Sequence, residues 1–211
     1  MPIHSELKIF EKYAIKYAQE NAPTGQIVFY GPSYFTRWGT EWGHRPLRED
    51  LRGASGAPCC INRGVGGSCP EHQLYYYDRI VRPLAPKVLV YGSWGNIGYL
   101  GYTNEEAIAL AERVVAYARA DFPDIKIYLM GAIYTINQEY GETLDYRNAY
   151  NEMVKELAAR TPNCTFIDTY ACKELWDHSI FIEDNVHYNQ EGFDRFGNFF
   201  RKALADELAA F

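Results

Sequence analysis

The 211-residue chain has few of the residues that staple small folds, with five cysteines among 17 glycines and 10 prolines. Cys59, Cys60, Cys69, Cys164 and Cys172 form an odd set without zinc-ribbon spacing. The odd count reads as reduced thiols rather than a disulfide framework, and Cys59, Cys60 and Cys69 read as buried side chains rather than a metal site. Basic charge is also short: 21 Lys and Arg face 27 Asp and Glu, a net charge of −6. That balance argues against nucleic acid or an anionic membrane as a partner. No apolar run is long enough to cross a bilayer. The N-terminal MPIHSELKIFEKYAIKYAQE lacks the uninterrupted apolar core of a signal peptide, so the expected location is cytoplasmic. Repeats, low-complexity tracts and linkers are missing too, which leaves one domain over residues 1–211 as the expectation. A hydrophobic content of 47% with 23% charge excludes a disordered chain.

What the sequence does have is an alternation of short apolar runs and amphipathic stretches. The runs are 26–30 (QIVFY), 57–62 (APCCIN), 87–91 (KVLVY), 125–130 (IKIYLM) and 165–169 (TFIDT). Most are apolar on successive residues, which suits strands covered on both faces in a parallel sheet. Helix patterns lie between them. Leu7, Phe10, Ala14, Tyr17 and Ala18 share a face before Pro23. Thr103 and Glu106 form a capping box ahead of Ala107, Ile108, Ala111, Val114, Val115 and Ala118. Ser68 and Glu71 have the same spacing ahead of Leu74, Tyr77 and Val81. Asp145 reads as the cap of a helix with Ala149, Tyr150, Met153, Val154 and Leu157 inward. Asn189 reads as the cap of a last helix with Phe193, Phe196, Phe200 and Leu204 inward. This alternation predicts an α/β three-layer sandwich with a central parallel sheet of about five strands and helices on both faces. Ligands in such folds sit at the carboxyl ends of the strands.

Four segments follow those strands. Gly31-Pro32-Ser33 can present a serine at the sheet edge, or be a plain turn. Asn62-Arg63-Gly64-Val65-Gly66-Gly67-Ser68 can aim backbone N–H groups at an anion or a developing oxyanion, or be a glycine-rich turn. Gly92-Ser93-Trp94-Gly95-Asn96 places a side-chain amide at the same edge, or uses it to hold its own turn. Asp184-Asn185-Val186-His187 spaces a carboxylate so that it can fix the tautomer of an imidazole and leave its other nitrogen free as a base, or can be a surface ion pair. Asp184, His187 and His178 lack the further ligand that a metal site needs.

The joint order, Ser then Gly then Asn then Asp-x-x-His, resembles the SGNH hydrolase superfamily, or GDSL-type esterases. The resemblance runs from IVFYGPS through NRGVGGS and YGSWGNIG to EDNVHYNQEGF. It implies a flavodoxin-like sandwich. It matches Ser33 to the nucleophile, His187 to the general base, Asp184 to its orienting acid and Gly67 to the oxyanion-hole glycine. Two positions depart from the pattern. Pro32 stands where the family has Asp, and a one-residue shift is needed to bring Asn96, rather than Gly95, onto the oxyanion-hole amide. The implied activity is hydrolysis of a small soluble ester, such as an O-acetylated carbohydrate, through an acyl-enzyme. Thioester hydrolysis and acyl transfer are the family alternatives, and a non-catalytic binding domain is the reading from another class. No metal or organic cofactor is implied, and the expected partner is a small-molecule ester. Trp38 and Trp94, with Trp42 nearby, flank the expected site and read either as packed core residues or as candidate substrate platforms. The four arginines of the segment 37–52 read as a salt-bridged loop or as a grip on an anionic substrate. The Asp184 carboxylate is expected to outweigh burial and raise the pKa of His187.

Overall fold

A computed structural model describes residues 6–138 and 143–211. Its centre is a sheet of five parallel strands: β1 (Ile27–Gly31), β2 (Cys60–Gly64), β3 (Val88–Gly92), β4 (Lys126–Met130) and β5 (Cys164–Ile167). Their order across the sheet is β2–β1–β3–β4–β5, which is the flavodoxin-like order. In that order the crossovers change direction between β1 and β3. The crevice there opens at the carboxyl ends of both strands.

The helices are α1 (Glu11–Gln19), α2 (Ser33–Thr36), α3 (Leu47–Asp50), α4 (Pro70–Ile80), α5 (Asn104–Asp121), α6 (Leu144–Arg160), α7 (Gln190–Ala203) and α8 (Ala205–Ala209). The period-2 alternation of β1 sends neighbouring residues to opposite layers. Phe29 meets Phe200 of α7 edge-on at 5.1 Å, while the Tyr30 hydroxyl donates to the Gln73 carbonyl of α4 at 2.7 Å. Every residue of β1 and β3 is buried, as strands covered on both faces must be.

Most helix ends follow the sequence. Thr103 accepts from the Glu106 N–H and completes its capping box. Asn189 accepts from the Gly192 N–H, and Phe193, Phe196 and Phe200 are fully buried behind it. Four details differ from expectation. The cap of α4 is Cys69, paired with His72, because Pro70 with its fixed φ takes the first helical position. The cap of α6 is Thr143, which places Asp145 in the first turn instead. Ala149 of α6 is exposed while Arg147 is buried, since the guanidinium finds enough acceptors to sit inward. The second strand also starts three residues later than its apolar run and continues through Asn62, Arg63 and Gly64. Gly64 is needed there: a Cβ would lie 2.2 Å from the Thr36 backbone nitrogen, so only glycine lets α2 pack this close.

Candidate active site

Ser33 is the first residue of α2, one residue beyond the turn that ends β1. Pro32 caps this short helix, and its carbonyl accepts from the N–H groups of Phe35 and Thr36. The Pro32 ring lies against the turn after β3. A Cβ on Gly95 would come within 2.8 Å of Pro32 Cγ, and Gly95 has φ +134°, a conformation that favours glycine. The glycine at 95 and the proline at 32 therefore fit one another.

Asp184 and His187 lie on a hairpin closed by an antiparallel bridge between Phe181 and Tyr188. Asp184 Oδ1 accepts from the N–H of Val186 at 3.0 Å and of His187 at 2.9 Å, and Asn185 turns the chain at φ +58°. These bonds fix the carboxylate before it meets the ring. Oδ2 lies 2.7 Å from His187 Nδ1. That contact places the ring proton on Nδ1, so that Nε2 accepts from the Ser33 hydroxyl at 2.8 Å. Burial pushes the His187 pKa down; the Asp184 hydrogen bond opposes it, and the charge of Arg37 adds to it, leaving the imidazole below its ordinary 6.5. The raised value expected from the sequence is thus reversed, because burial outweighs the carboxylate. Burial pushes the Asp184 carboxyl up, but the His187 and Val186 N–H groups and the His187 ring bring it below its ordinary 3.8.

Ser33 and His187 open onto a cavity of about 340 Å³, lined also by Tyr34, Trp94, Asn96, Thr135 and Val186 among others. Asn96 adopts φ +57°, and its side-chain amide donates to the Ser68 carbonyl at 3.0 Å. Both Gly95 and Asn96 line the cavity. Gly67 sits one residue before Ser68 in an exposed turn at φ +83° and is not among the lining residues. Trp94 is buried but forms part of the cavity wall. Trp38 does not. It is 1% exposed, packs against Phe193 and Phe196, and donates its indole N–H to Asp50 at 2.7 Å. It is a core residue rather than a substrate platform, because Asp50 satisfies its one polar atom inside.

The sequence reading passed over the segment after β4. Ile133, Thr135 and Asn137 line the cavity from there. The buried Arg147 holds this segment, with Nη2 donating to Thr135 Oγ1 at 2.6 Å and to the Asn137 carbonyl at 3.3 Å. The rule that ligands gather at strand carboxyl ends would have found it. Of the arginines in the 37–52 segment, Arg45 bonds Asp50 and Asp194, and Arg52 donates to the Glu49 and Gly56 carbonyls. Only Arg37 reaches the site, at 3.5 Å from Asp184. His178 lies instead beside the Tyr134 hydroxyl, at 3.1 Å. No group of three His, Cys, Asp or Glu side chains is placed to hold a metal ion among the described residues. No helix among them is long and apolar enough to cross a membrane.

The GDSL-like lipase/acylhydrolase family matches residues 29–195. No curated protein matches the chain. Among solved structures, a provisionally assigned acylhydrolase from Bacteroides fragilis has 21% identity over 97% of this chain and 99% of its own, with a TM-score of 0.73. A GDSL-like lipase from Bacteroides thetaiotaomicron has 17% identity over 96% and 100%, with a TM-score of 0.70. An acetylxylan esterase from Geobacillus stearothermophilus has 16% identity over 90% and 99%, with a TM-score of 0.69. At these identities the likeness is one of fold.

Proposed function

This chain belongs to the GDSL-like lipase/acylhydrolase family, and from that premise we propose that it is a serine esterase that cleaves small soluble esters through an acyl-enzyme. The observation that carries the reading is the continuous line from Asp184 Oδ2 through His187 to Ser33 Oγ, at 2.7 and 2.8 Å. Ser33 attacks the acyl carbon while Nε2 of His187 takes its proton. Asp184 holds the ring in the required tautomer and stabilises the imidazolium that forms. The negative oxygen of the tetrahedral intermediate is met by the N–H of Ser33 and the second amide hydrogen of Asn96. The first amide hydrogen is already engaged by the Ser68 carbonyl. Family resemblance would make the N–H of Gly67 a third donor, but Gly67 lies in an exposed turn outside the cavity lining, so Ser33 and Asn96 carry this role here. His187 then returns its proton to the leaving alcohol and activates the water that releases the acid.

An O-acetylated carbohydrate is the substrate we favour. The cavity is small, and among the described residues His187 is the only ionisable side chain in its lining apart from the two phenols. Tyr99 stands 61% exposed at its rim, where a ring can stack on a sugar face. The acetylxylan esterase named above adds to this reading. A panel of acetyl to octanoyl esters of sugar and aryl alcohols, assayed on the wild type and Ser33→Ala, tests it. The reading requires turnover that is lost in Ser33→Ala and preference for acetyl sugars. A variant that hydrolyses as fast as wild type would overturn it.

A further inference from the structure

The oxygen of Asp184 that faces His187 has a second neighbour. Arg37 Nη1 lies 3.5 Å from Oδ2, the same atom that stands 2.7 Å from His187 Nδ1. Arg37 closes the helix that Ser33 opens, and its backbone N–H donates to the Ser33 carbonyl at 2.8 Å. Its guanidinium rests over the Trp42 ring at 4.4 Å from the centroid, and its side chain is only 22% exposed. One residue thus ties the backbone of the nucleophile to the carboxylate that orients the base, and the Trp42 stack seats its charge.

We propose that Arg37 is a positioning residue of this site, which holds the Asp184 carboxylate and opposes the build-up of positive charge on the His187 ring. The inference rests on the esterase reading for its effect on rate, but not for its effect on the titration of His187. The groups that face His187 are Asp184 from its own hairpin, Arg37 from the end of α2 and the neutral Ser33 from its start. Burial and the same Arg37 charge also push His44 below its ordinary value, so the field of Arg37 reaches more than one ring. Arg37 and the ring share a carboxylate oxygen, so their nitrogens are no more than about 6 Å apart. At that separation the charge of Arg37 disfavours a second positive charge on the ring, and so lowers the pKa of His187. The arrangement has two opposed effects. It lets His187 remain a base in more acidic water, and it slightly weakens that base.

The test is the imidazole NMR titration of His187 in wild type, Arg37→Met and Arg37→Lys, beside the pH profile of kcat/KM. In Arg37→Met the His187 midpoint should rise by about half a unit or more, the lower figure being that for full water screening, and the acid limb of kcat/KM should move with it. Arg37→Lys, which keeps the charge, should return most of the shift. The difference between wild type and Arg37→Met should shrink at about 1 M salt, where screening acts within a few ångströms. Should Arg37→Met fail to fold, Trp42→Ala serves instead. It removes a half-exposed ring and unseats the guanidinium, and the midpoint should rise by less. A His187 midpoint unchanged in a folded Arg37→Met overturns the proposal, as does a Lys variant that titrates like the Met variant. If the wild type hydrolyses no ester while His187 titrates as described, the esterase reading falls and the Arg37 coupling stands.

Discussion

The side-chain amide of Asn96 donates to the carbonyl of Ser68 at 3.0 Å, tying the turn after β3 to the turn after β2. This bond fixes one amide hydrogen and the plane of the group, leaving the other hydrogen available at the cavity that Asn96 and Ser33 both line. The left-handed backbone at Asn96, φ +57°, follows Gly95 at φ +134°, so a tight turn rather than a regular helix aims the side chain.

Asn96→Ala should therefore lower kcat by about 10²–10³-fold, the usual effect of losing one oxyanion donor, with KM little changed. Steady-state kinetics on a fast ester check this. A silent substitution would remove Asn96 from the machinery.

The pH profile follows from the His187 shift. Only the neutral ring can take the Ser33 proton, and burial lowers the pKa below 6.5. Activity should hold down to pH values below that figure and then fall through a single ionisation. The Asp184 hydrogen bond raises the His187 pKa, so Asp184→Asn should move the fall to still lower pH. Lost orientation should also depress the plateau, by up to about 10⁴-fold if Asp184 acts as in other serine triads. A kcat/KM that is flat from about pH 4 to 9, a span well to either side of the free imidazole value, would mean that His187 is not the base.

The two tryptophans should separate by phenotype. Trp38→Ala empties a core site and strips Asp50 of a hydrogen-bond donor, so it should cost about 3–5 kcal/mol in urea denaturation. Trp94→Ala should also raise KM, because Trp94 walls the cavity. A raised KM at unchanged stability in Trp38→Ala would restore Trp38 as a substrate platform.

Much of this architecture is legible in the sequence because apolar runs and caps are local signals. Val28, Leu89 and Leu129 stand in buried strands that their neighbours already mark, and Thr103 caps as its spacing requires. What is not legible depends on partners far along the chain. Nothing near Trp38 says that Asp50 will take its indole N–H, and nothing in the stripe of α6 says that Arg147 will turn inward to the segment after β4. The end of β2 is hidden because its residues serve their neighbours: the Asn62 amide donates to the Phe35 carbonyl at 2.6 Å, and Gly64 makes room for α2. The direction of the His187 shift needed the depth of burial, which spacing does not reveal. The place of Arg37 is hidden for the same reason, because the short helix Ser33–Thr36 that it closes shows no pattern in the sequence.

The central claim is that Ser33 is a nucleophile activated by His187. Intact-mass measurement after exposure to an alkyl phosphonate tests it most directly, because such a reagent phosphonylates an activated serine hydroxyl. The wild type should take up one phosphonyl group, mapped to Ser33 by peptide analysis. Ser33→Ala should take up none, and His187→Ala should react slower by orders of magnitude. A wild type that stays unlabelled, or labels equally in Ser33→Ala, would contradict the account and leave a binding domain in its place.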